Sequence, residues 1–315
     1  MYNYEKYTAV KAEIERRRLA AEAEADSRSA DLRAKSAEIA EIDRELSGTG
    51  MKLFKAALAG EDLIPLKERN QELNKKRREI IVSLGYPEDY TDVHYTCPLC
   101  RDTGYVGGSK VCSCLKEELI KATIASSGIG NLIEKQSFDN FELGIYEKDE
   151  RIYKRMKNNL EVAKRFVENF RTEPGNLLFV GKTGTGKTHL STAIAREIIK
   201  SGFDVIYDTT QNIMSDFETD RFKNAYSQAE PLAEKYLKCD LLIMDDLGTE
   251  FVTPFTVSCI YNLINTRQNR GLSTIISTNL DQQELLSRYE DRIYSRLIGS
   301  DYRVLCFVGP DRRLV

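Results

Sequence analysis

A glycine-rich segment that ends in lysine and threonine has the most specific chemistry in this sequence. Residues 181–188 have the sequence GKTGTGKT, which matches G-x-x-x-x-G-K-T at every position. An apolar run at 177–180 precedes it and a helical pattern at 189–200 follows it, as the motif requires. The backbone N–H groups of such a loop and the positive end of the following helix bind phosphate. We therefore predict an ATP site formed by Gly181, Lys182, Thr183, Gly184, Thr185, Gly186, Lys187, Thr188 and the adjacent His189.

Lys187, Thr188 and a later pair of aspartates carry the groups that a triphosphate with Mg²⁺ needs. Lys187 is predicted to contact the β- and γ-phosphates, and the Thr188 hydroxyl to bind Mg²⁺. Asp245 and Asp246 follow the apolar run at 241–244, at the end of a strand where ligands bind in open α/β sheets. We predict that Asp245 is the Mg²⁺ carboxylate and that Asp246 orients or deprotonates the attacking water. Without the upstream loop, the acidic pair would equally suit a solvated turn.

Asn279 is a further catalytic candidate because it also follows an apolar run, at 274–277. In that position its side chain is predicted to sense the γ-phosphate or to position water. An ordinary turn asparagine is the alternative.

Four closely spaced cysteines indicate a second site. Cys97 and Cys100 form a CxxC pair, and Cys112 and Cys114 form a CxC pair after eleven intervening residues with a glycine-rich turn. Two close pairs separated by a turn suit tetrahedral zinc. The alternatives are His94 as a substitute ligand, a redox dithiol, and four unpaired structural thiols.

The elements that must position these groups follow from the hydrophobic pattern. From about residue 151, helical patterns alternate with apolar runs, which predicts a parallel sheet with crossover helices and an α/β fold. The runs are 176–180, 204–207, 241–244, 274–277 and 304–308. Closer to the N-terminus, helical patterns at 5–47 and 66–84 predict an antiparallel helical hairpin, with Ser47-Gly48-Thr49-Gly50 ending its first helix.

We therefore predict four segments: a helical hairpin at 1–93, a zinc-binding module at 94–116, a linker at 117–134 and an ATPase domain at 135–315. The net charge of −3 neither indicates nor excludes a nucleic-acid partner. No apolar run approaches the length of a membrane span, and the N-terminus lacks the apolar segment of a signal peptide. These observations predict a cytoplasmic protein with no membrane partner.

Three motifs in the C-terminal half resemble the AAA+ ATPases of the DnaC/DnaI helicase-loader type. They are DDLG at 245–248, ISTNL at 276–280 and DRIYSRL at 291–297, and the related IstB-type transposition helpers share them. The resemblance covers roughly residues 135 to 315 and implies a P-loop AAA+ fold. It implies that Arg296 is an arginine finger for the γ-phosphate of a neighbouring subunit, and hence self-association, with Arg292 supporting that interface. It further implies that Arg313 is the late sensor arginine, with Arg312 as the competing choice.

The segment 211–237 is a predicted helical insertion. In AAA+ replication initiators an insertion here lines a nucleic-acid channel, so the resemblance makes Arg221 and Lys223 candidates for single-stranded DNA contacts. Three acidic residues lie beside them: Asp216, Glu218 and Asp220.

A helical hairpin followed by a cysteine module also resembles the helicase-binding N-terminal part of Gram-positive and phage-type loaders. The resemblance implies an ATP-dependent protein that binds the hexameric replicative helicase and loads it onto single-stranded DNA. Two alternatives stay open: an IstB-like transposition helper, and a nucleotide-switched adaptor with negligible turnover.

Overall fold

The computed structural model describes residues 3–59, 63–223 and 230–312. The chain divides into two compact units. We call Ala9–Leu115 the cysteine unit, and Met1–Thr8 together with Lys116–Val315 the sheet unit. Within the described ranges, no helix is both long enough and apolar enough to cross a bilayer.

Three helices and a small hairpin come first along the chain. The helices are α1 (Tyr4–Lys35), α2 (Ala37–Ala59) and α3 (Ile64–Ser83), and the two-residue strands β1 (Tyr105–Val106) and β2 (Lys110–Val111) pair antiparallel. Leu32 of α1, Ile39 of α2 and Ile81 of α3 are buried together in one apolar cluster. Helices α2 and α3 pack on each other.

The helix predicted for residues 5–47 is interrupted earlier than expected, and helical structure then continues beyond its predicted end. The helix is interrupted at Ser36, whose hydroxyl accepts from the Ile39 N–H at 3.3 Å, and α2 then continues through residues 47–50. A glycine inside a helix costs only about 1 kcal/mol, which neighbouring contacts offset. Here the Ser47 and Thr49 hydroxyls donate to helix carbonyls at 2.8 Å each. The prediction that Ser47-Gly48-Thr49-Gly50 stops the helix was therefore wrong.

The segment 117–134, predicted as a linker, is instead part of the packed structure. It contains most of helix α4 (Ser113–Ser126) and of the short helix α5 (Leu132–Lys135). Ile129 and Ile133 are buried in the core of the sheet unit. Ser127 accepts a hydrogen bond from the Tyr207 N–H at 2.7 Å, so this segment covers the edge of the sheet. Apolar side chains that the sheet buries explain why it is ordered.

Five parallel strands form the sheet of the sheet unit, which confirms the predicted α/β class. They are β3 (Asn176–Gly181), β4 (Val205–Thr209), β5 (Leu241–Leu247), β6 (Ser273–Thr278) and β7 (Tyr302–Phe307), in the order β4-β5-β6-β3-β7. Each of the five predicted apolar runs overlaps one of these strands. The central strand β3 pairs with β6 and β7, with Leu178 opposite Ile276 and Val304.

The core of the sheet unit lies on both faces of this sheet. Successive residues of a strand point to opposite faces, so Leu177 and Phe179 enter one apolar cluster and Leu178 enters the other. The covering helices are α6 (Glu150–Asn169), α7 (Lys187–Lys200), α8 (Thr210–Phe222), α9 (Glu234–Lys238), α10 (Pro254–Asn269) and α11 (Gln282–Ile298). This burial on both faces holds the carboxyl ends of the strands in a fixed arrangement, and the predicted residues Asp245, Asp246 and Asn279 lie at those ends.

Candidate nucleotide-binding and metal sites

The loop between β3 and α7 has a backbone that requires its glycines. Gly184 and Gly186 have φ angles of 79° and 101°, which favour glycine. A Cβ atom on Gly184 would lie 1.9 Å from the Asp311 carboxylate, and one on Gly181 would lie 2.2 Å from the Phe307 carbonyl. The chain after β7 thus packs directly on the loop, and a side chain at either glycine would push it away.

Lys187 is the first residue of α7, and its side chain crosses back over the loop. Its ammonium group donates to the carbonyls of Gly181 at 2.6 Å and Lys182 at 3.0 Å, and to Asn279 Oδ1 at 2.5 Å. Lys187 is only 5% exposed. The structure therefore brings Asn279 to the loop, and carbonyl oxygens satisfy the buried ammonium group.

Asp245 is held by three hydroxyl groups. The Thr188 hydroxyl donates to Asp245 Oδ2 at 3.1 Å, Tyr207 donates to the same oxygen, and Ser277 donates to Oδ1. Burial and the neighbouring carboxylate raise the pKa of Tyr207. An aspartate oriented in this way beside Thr188 has the donor chemistry of an Mg²⁺ ligand pair.

Tyr207 and Ser277 were missed in the sequence analysis. Each lies on a strand next to β5 in the sheet, so only the strand order brings them to Asp245. Ser277 offered a weak signal, since it precedes Asn279 in the same motif.

Asp246 projects differently from Asp245 because the strand is irregular there. The register between β5 and β6 shifts between Met244 and Leu247, and Asp246 has a φ of 56°. Its N–H donates to the Ser277 hydroxyl at 3.0 Å. A bulge of this kind re-aims a side chain at the edge of a site. Asp246 consequently lines the same cavity as the loop.

That cavity has a volume of about 560 Å³. Its lining includes eight of the predicted nucleotide-site and catalytic residues, Arg312 as the competing choice for the late sensor, and two residues that were not assigned. The lining residues are Leu132, Gln136, Thr183, Gly184, Gly186, Lys187, Thr188, His189, Asp246, Asn279 and Arg312.

Of the two candidate sensor arginines, the structure describes only Arg312. The backbone N–H of Arg312 donates to the Gly184 carbonyl at 2.9 Å, and the Arg312 guanidinium lies 4.6 Å from the centroid of the Phe141 ring. Arg312 is therefore at the loop. Arg313, which the sequence analysis preferred, lies outside the described residues.

Comparison with known proteins connects this arrangement to a family. The family model described as IstB-like ATP binding protein matches residues 132–298, more than half of the chain. The chain belongs to the IstB-like ATP-binding family. The matched range contains the loop, both aspartates, Asn279 and Arg296.

Two curated relatives are similar to parts of this IstB-like protein. The replicative helicase loader DnaC of Escherichia coli strain K12 is 28% identical over 178 residues, which are 56% of this chain and 69% of DnaC. The phage-like element PBSX protein XkdC of Bacillus subtilis strain 168 is 25% identical over 253 residues, covering 74% of this chain and 90% of XkdC. Among solved structures, a crystal structure of the DnaC helicase loader matches with 24% identity and a TM-score of 0.47, covering 56% of this chain and 98% of that chain.

Arg296 of this IstB-like protein lies away from its own loop. On α11 its guanidinium donates to Gln268 Oε1 at 3.1 Å and to the Tyr261 hydroxyl at 3.2 Å, and it lies over the Tyr261 ring. It does not line the cavity described above. Arg292, one helical turn earlier, is exposed. The structure thus does not bring Arg296 to the nucleotide site of its own chain.

The candidate DNA-binding side chains make contacts within the chain. The Arg221 guanidinium lies 4.7 Å from the centroid of the Phe255 ring, and the Lys223 ammonium pairs with Asp220 at 2.7 Å. The ion pair with Asp220 offsets the charge of Lys223, whereas Arg221 stays exposed to solvent.

A residue after the two aspartates links their turn to α11. Glu250 is 5% exposed; it accepts from the Gly248 N–H at 2.9 Å and from the Tyr289 hydroxyl. Arg288 donates to the Gly248 carbonyl. This link was not predicted, because nothing in the spacing of Glu250 and Tyr289 indicates that they meet.

The four predicted zinc ligands come together in the cysteine unit. The sulfur atoms of Cys97, Cys100, Cys112 and Cys114 all lie within 4.8 Å of one another. The Cys97–Cys112 and Cys100–Cys114 sulfur distances are 3.8 and 3.4 Å. Four thiolates around Zn²⁺ at about 2.3 Å would be about 3.8 Å apart, so the cluster fits a tetrahedral zinc ion.

Backbone N–H groups and a carboxylate surround the cluster, and burial raises the pKa of Cys114 whereas the pKa of Cys112 is lowered. The backbone N–H of Cys114 stabilises the Cys112 thiolate and lowers its pKa to about 7. The Gly104 N–H donates to the Cys100 sulfur at 3.4 Å. The Asp102 carboxylate accepts from the N–H groups of Thr96 and Cys97 at 2.7 and 2.9 Å, which holds the first pair in place.

His94 does not join this cluster. Its imidazole is more than half exposed and lies 3.8 Å from the Asp89 carboxylate. Within the described residues, the group suited to a metal consists of the four cysteines alone. The arrangement fits the four-cysteine site better than one with His94 as a substitute ligand.

Proposed function

We propose that this protein is a Mg²⁺-dependent ATPase that binds a replicative helicase and loads it onto single-stranded DNA. Membership of an ATP-binding family and the similarity to the helicase loader DnaC support the proposal. The observation that carries the ATPase part is the meeting of Lys187, Asn279, Thr188 and Asp245 at one loop.

Each group has a distinct part in hydrolysis. The loop N–H groups and the start of α7 bind the phosphates, and Lys187 exchanges its carbonyl partners for phosphate oxygens. Thr188 and Asp245 would hold Mg²⁺, which would neutralise charge on the phosphates, and Tyr207 and Ser277 keep Asp245 in position. Asp246 orients the attacking water and accepts its proton, and Asn279 contacts the γ-phosphate.

Assembly of subunits completes the site. Arg296 supplies the positive charge that stabilises the transition state in the site of a neighbouring copy. Its distance from the nucleotide site of its own chain supports an action between subunits. Hydrolysis then requires self-association.

The cysteine unit is the proposed helicase-binding part, with Zn²⁺ held by Cys97, Cys100, Cys112 and Cys114. The match to DnaC covers only 56% of the chain, so the assignment of this unit is an inference from the resemblance. Arg221 and Lys223 remain candidates for contacts to single-stranded DNA. We place the reaction in the cytoplasm.

Turnover assays test the ATPase part. We expect Asp246→Asn and Arg296→Ala each to lower kcat by roughly a thousandfold, while ATP still binds. This factor lies within the range for loss of a general base and at the lower end of the range for loss of an arginine finger. Arg303→Ala, at an exposed arginine on β7, is the matched control and should leave kcat unchanged. Full activity in both variants would remove the catalytic assignment, and no turnover in the unaltered protein would favour a nucleotide-switched adaptor.

A mixing experiment tests the action between subunits. Lys187→Ala and Arg296→Ala are each expected to be inactive alone. Mixed together, an Arg296→Ala chain retains an intact loop and receives Arg296 from its Lys187→Ala neighbour, so part of the activity should return. Failure to complement, with mixed oligomers shown to form, would contradict the arginine-finger role.

Co-elution with the host's replicative helicase tests the loader part. With ATP present we expect a stable complex, and we expect Cys97→Ser with Cys100→Ser to abolish it. Absence of a complex with an intact helicase hexamer would favour the IstB-like transposition helper and leave the ATPase proposal standing.

A further inference from the structure

One end of the nucleotide cavity is lined by residues that the phosphate chemistry does not use. Asp246 lies in the last part of strand β5 and Asn279 follows strand β6, on one side of β3. Arg312 follows β7, on the other side of β3, and contacts Phe141. Since Lys187, Asn279 and Asp245 mark the position of the γ-phosphate and Mg²⁺, the nucleoside end extends toward Leu132, Gln136 and His189.

The segment that carries Gln136 is held rigidly. Asn140 donates to the Lys135 carbonyl at 2.6 Å, and its Oδ1 accepts from the Ser137 N–H at 2.7 Å. The Asn140 amide orientation is thereby determined, because its nitrogen faces a carbonyl and its oxygen faces an N–H group. Hydrogen bonds within the turn after α5 therefore stabilise its conformation.

His189 ties this turn to the first turn of α7. Its Nε2 lies 3.0 Å from both the Ser137 carbonyl and Asn140 Oδ1, which are acceptors, so Nε2 carries the hydrogen. The Phe141 ring packs edge-on against the imidazole at 5.3 Å between centroids. His189, predicted as a nucleotide ligand, thus also positions the wall of the cavity.

The side chain of Gln136 differs from these paired groups. Its backbone N–H is bonded to the Leu132 carbonyl at 2.9 Å, but its side-chain oxygen is buried without a hydrogen-bond partner in the described part of the chain. A buried acceptor left unpaired is unfavourable, and a donor on a bound ligand would satisfy it. The side chain lines the cavity, so an occupant of the cavity is in a position to offer that donor.

We infer that Gln136 is the residue that selects the base, by accepting a hydrogen bond from the exocyclic amine of adenine. This inference rests on the proposed function and extends it to base specificity. Glutamine pairs well with adenine because the base offers an N–H donor at its 6-position. Guanine presents an oxygen acceptor there, which would face the acceptor oxygen of Gln136.

Nucleotide binding to the full-length protein with Mg²⁺ tests the inference. The probes are ATP, GTP and purine riboside 5′-triphosphate, which lacks only the 6-amino group of ATP. One hydrogen bond corresponds to about a fivefold difference in Kd, so we expect ATP to bind about fivefold more tightly than purine riboside 5′-triphosphate. GTP should bind more weakly than ATP.

The variant Gln136→Leu should remove this preference. ATP affinity should fall about fivefold, to the level of purine riboside 5′-triphosphate, whose own affinity should not fall. Gln71→Leu, at an exposed glutamine on α3, is the matched control and should retain the preference.

Equal affinities for ATP and purine riboside 5′-triphosphate in the unaltered protein would overturn the inference, whether or not the variant folds. Retention of the preference in Gln136→Leu, or GTP binding as tight as ATP binding, would overturn it as well. Failure of all three nucleotides to bind would overturn the proposed function and the inference with it.

Discussion

Within the described residues, the two compact units of this protein have apolar clusters of very different size. The sheet unit has large apolar clusters on both faces of a five-stranded sheet. In the described part of the cysteine unit, the apolar cluster of Leu32, Ile39 and Ile81 is small, and a second cluster consists of cysteine sulfurs. Many of its other contacts are exposed ion pairs such as Arg16–Glu13, which contribute little. The sheet unit is stabilised by its own core, whereas we propose that the cysteine unit depends on a zinc ion held by its four clustered cysteines.

Metal removal should give the largest difference between the units. A structural zinc site contributes on the order of 10 kcal/mol, so its loss should unfold the cysteine unit while the sheet unit still binds ATP. The measurement is hydrogen exchange of residues 94–115 in Cys97→Ser, together with the zinc content of the purified protein. Cys259→Ser, outside the cluster, is the control. Less than about one zinc per chain in the reduced, unaltered protein would contradict the four-cysteine site.

A buried arginine allows the stability of the sheet unit to be tested separately. Arg267 is fully buried and donates to the carbonyls of Tyr236 at 2.7 Å and Ser273 at 2.6 Å. Because Arg267→Met leaves these carbonyls unpaired in the core, we expect the free energy of unfolding to fall by about 3 kcal/mol. Arg270→Met, at an exposed position of the same chain segment, should change it far less. Denaturant unfolding checks this, and equal effects would show that the pairing of Arg267 contributes nothing.

Truncation of one core leucine in each unit sharpens the comparison. Leu32 and Leu263 are both buried, but the cluster around Leu32 is small. Leu→Ala costs about 2–5 kcal/mol in a packed core, and we expect Leu32→Ala to lie near 2 kcal/mol because a small cluster collapses more easily. Hydrogen exchange should then rise across α1 to α3 in Leu32→Ala and across the sheet in Leu263→Ala. A response spread over both units in either variant would contradict two independent cores.

The smallest expected effect is a pH dependence of the sheet unit. Burial lowers the pKa of His189 below 6.5, so the folded protein holds the imidazole neutral. As pH falls below 6.5, the unfolded chain takes up a proton that the folded chain resists, so stability decreases. Thermal unfolding between pH 7.5 and 5.5 should show this decrease, and His189→Asn should reduce it. An increase in stability at the lower pH would contradict the burial of a neutral His189.

Several elements of the sheet unit followed from local patterns. All five strands were predicted from apolar runs, and the phosphate loop from its motif, because strand burial and loop geometry impose residue types at adjacent positions. Contacts distant in sequence were not predictable in this way. Tyr207 meets Asp245, and Glu250 meets Tyr289, only because β4 neighbours β5 and α11 packs beside the turn.

The errors have a related cause. The segment 117–134 lacks a strong periodic pattern, and it is ordered because Ile129 and Ile133 are buried by the sheet unit. The glycines at 48 and 50 would favour a helix end in isolation, yet α2 continues through them because side-chain hydrogen bonds and packing on α3 outweigh a small local cost.

The sequence by itself therefore determined the α/β class, the strands, the phosphate loop and the identity of the four clustered cysteines. The tertiary structure alone decided which hydroxyls hold Asp245, that Arg312 lies at the loop, and that the unpaired side-chain oxygen of Gln136 belongs to the lining of the nucleotide cavity. The physical reason is the separation along the chain over which each interaction acts. Backbone conformation and hydrophobic periodicity act between near neighbours in the chain, whereas a binding site is completed by side chains that only the packing of distant elements brings together.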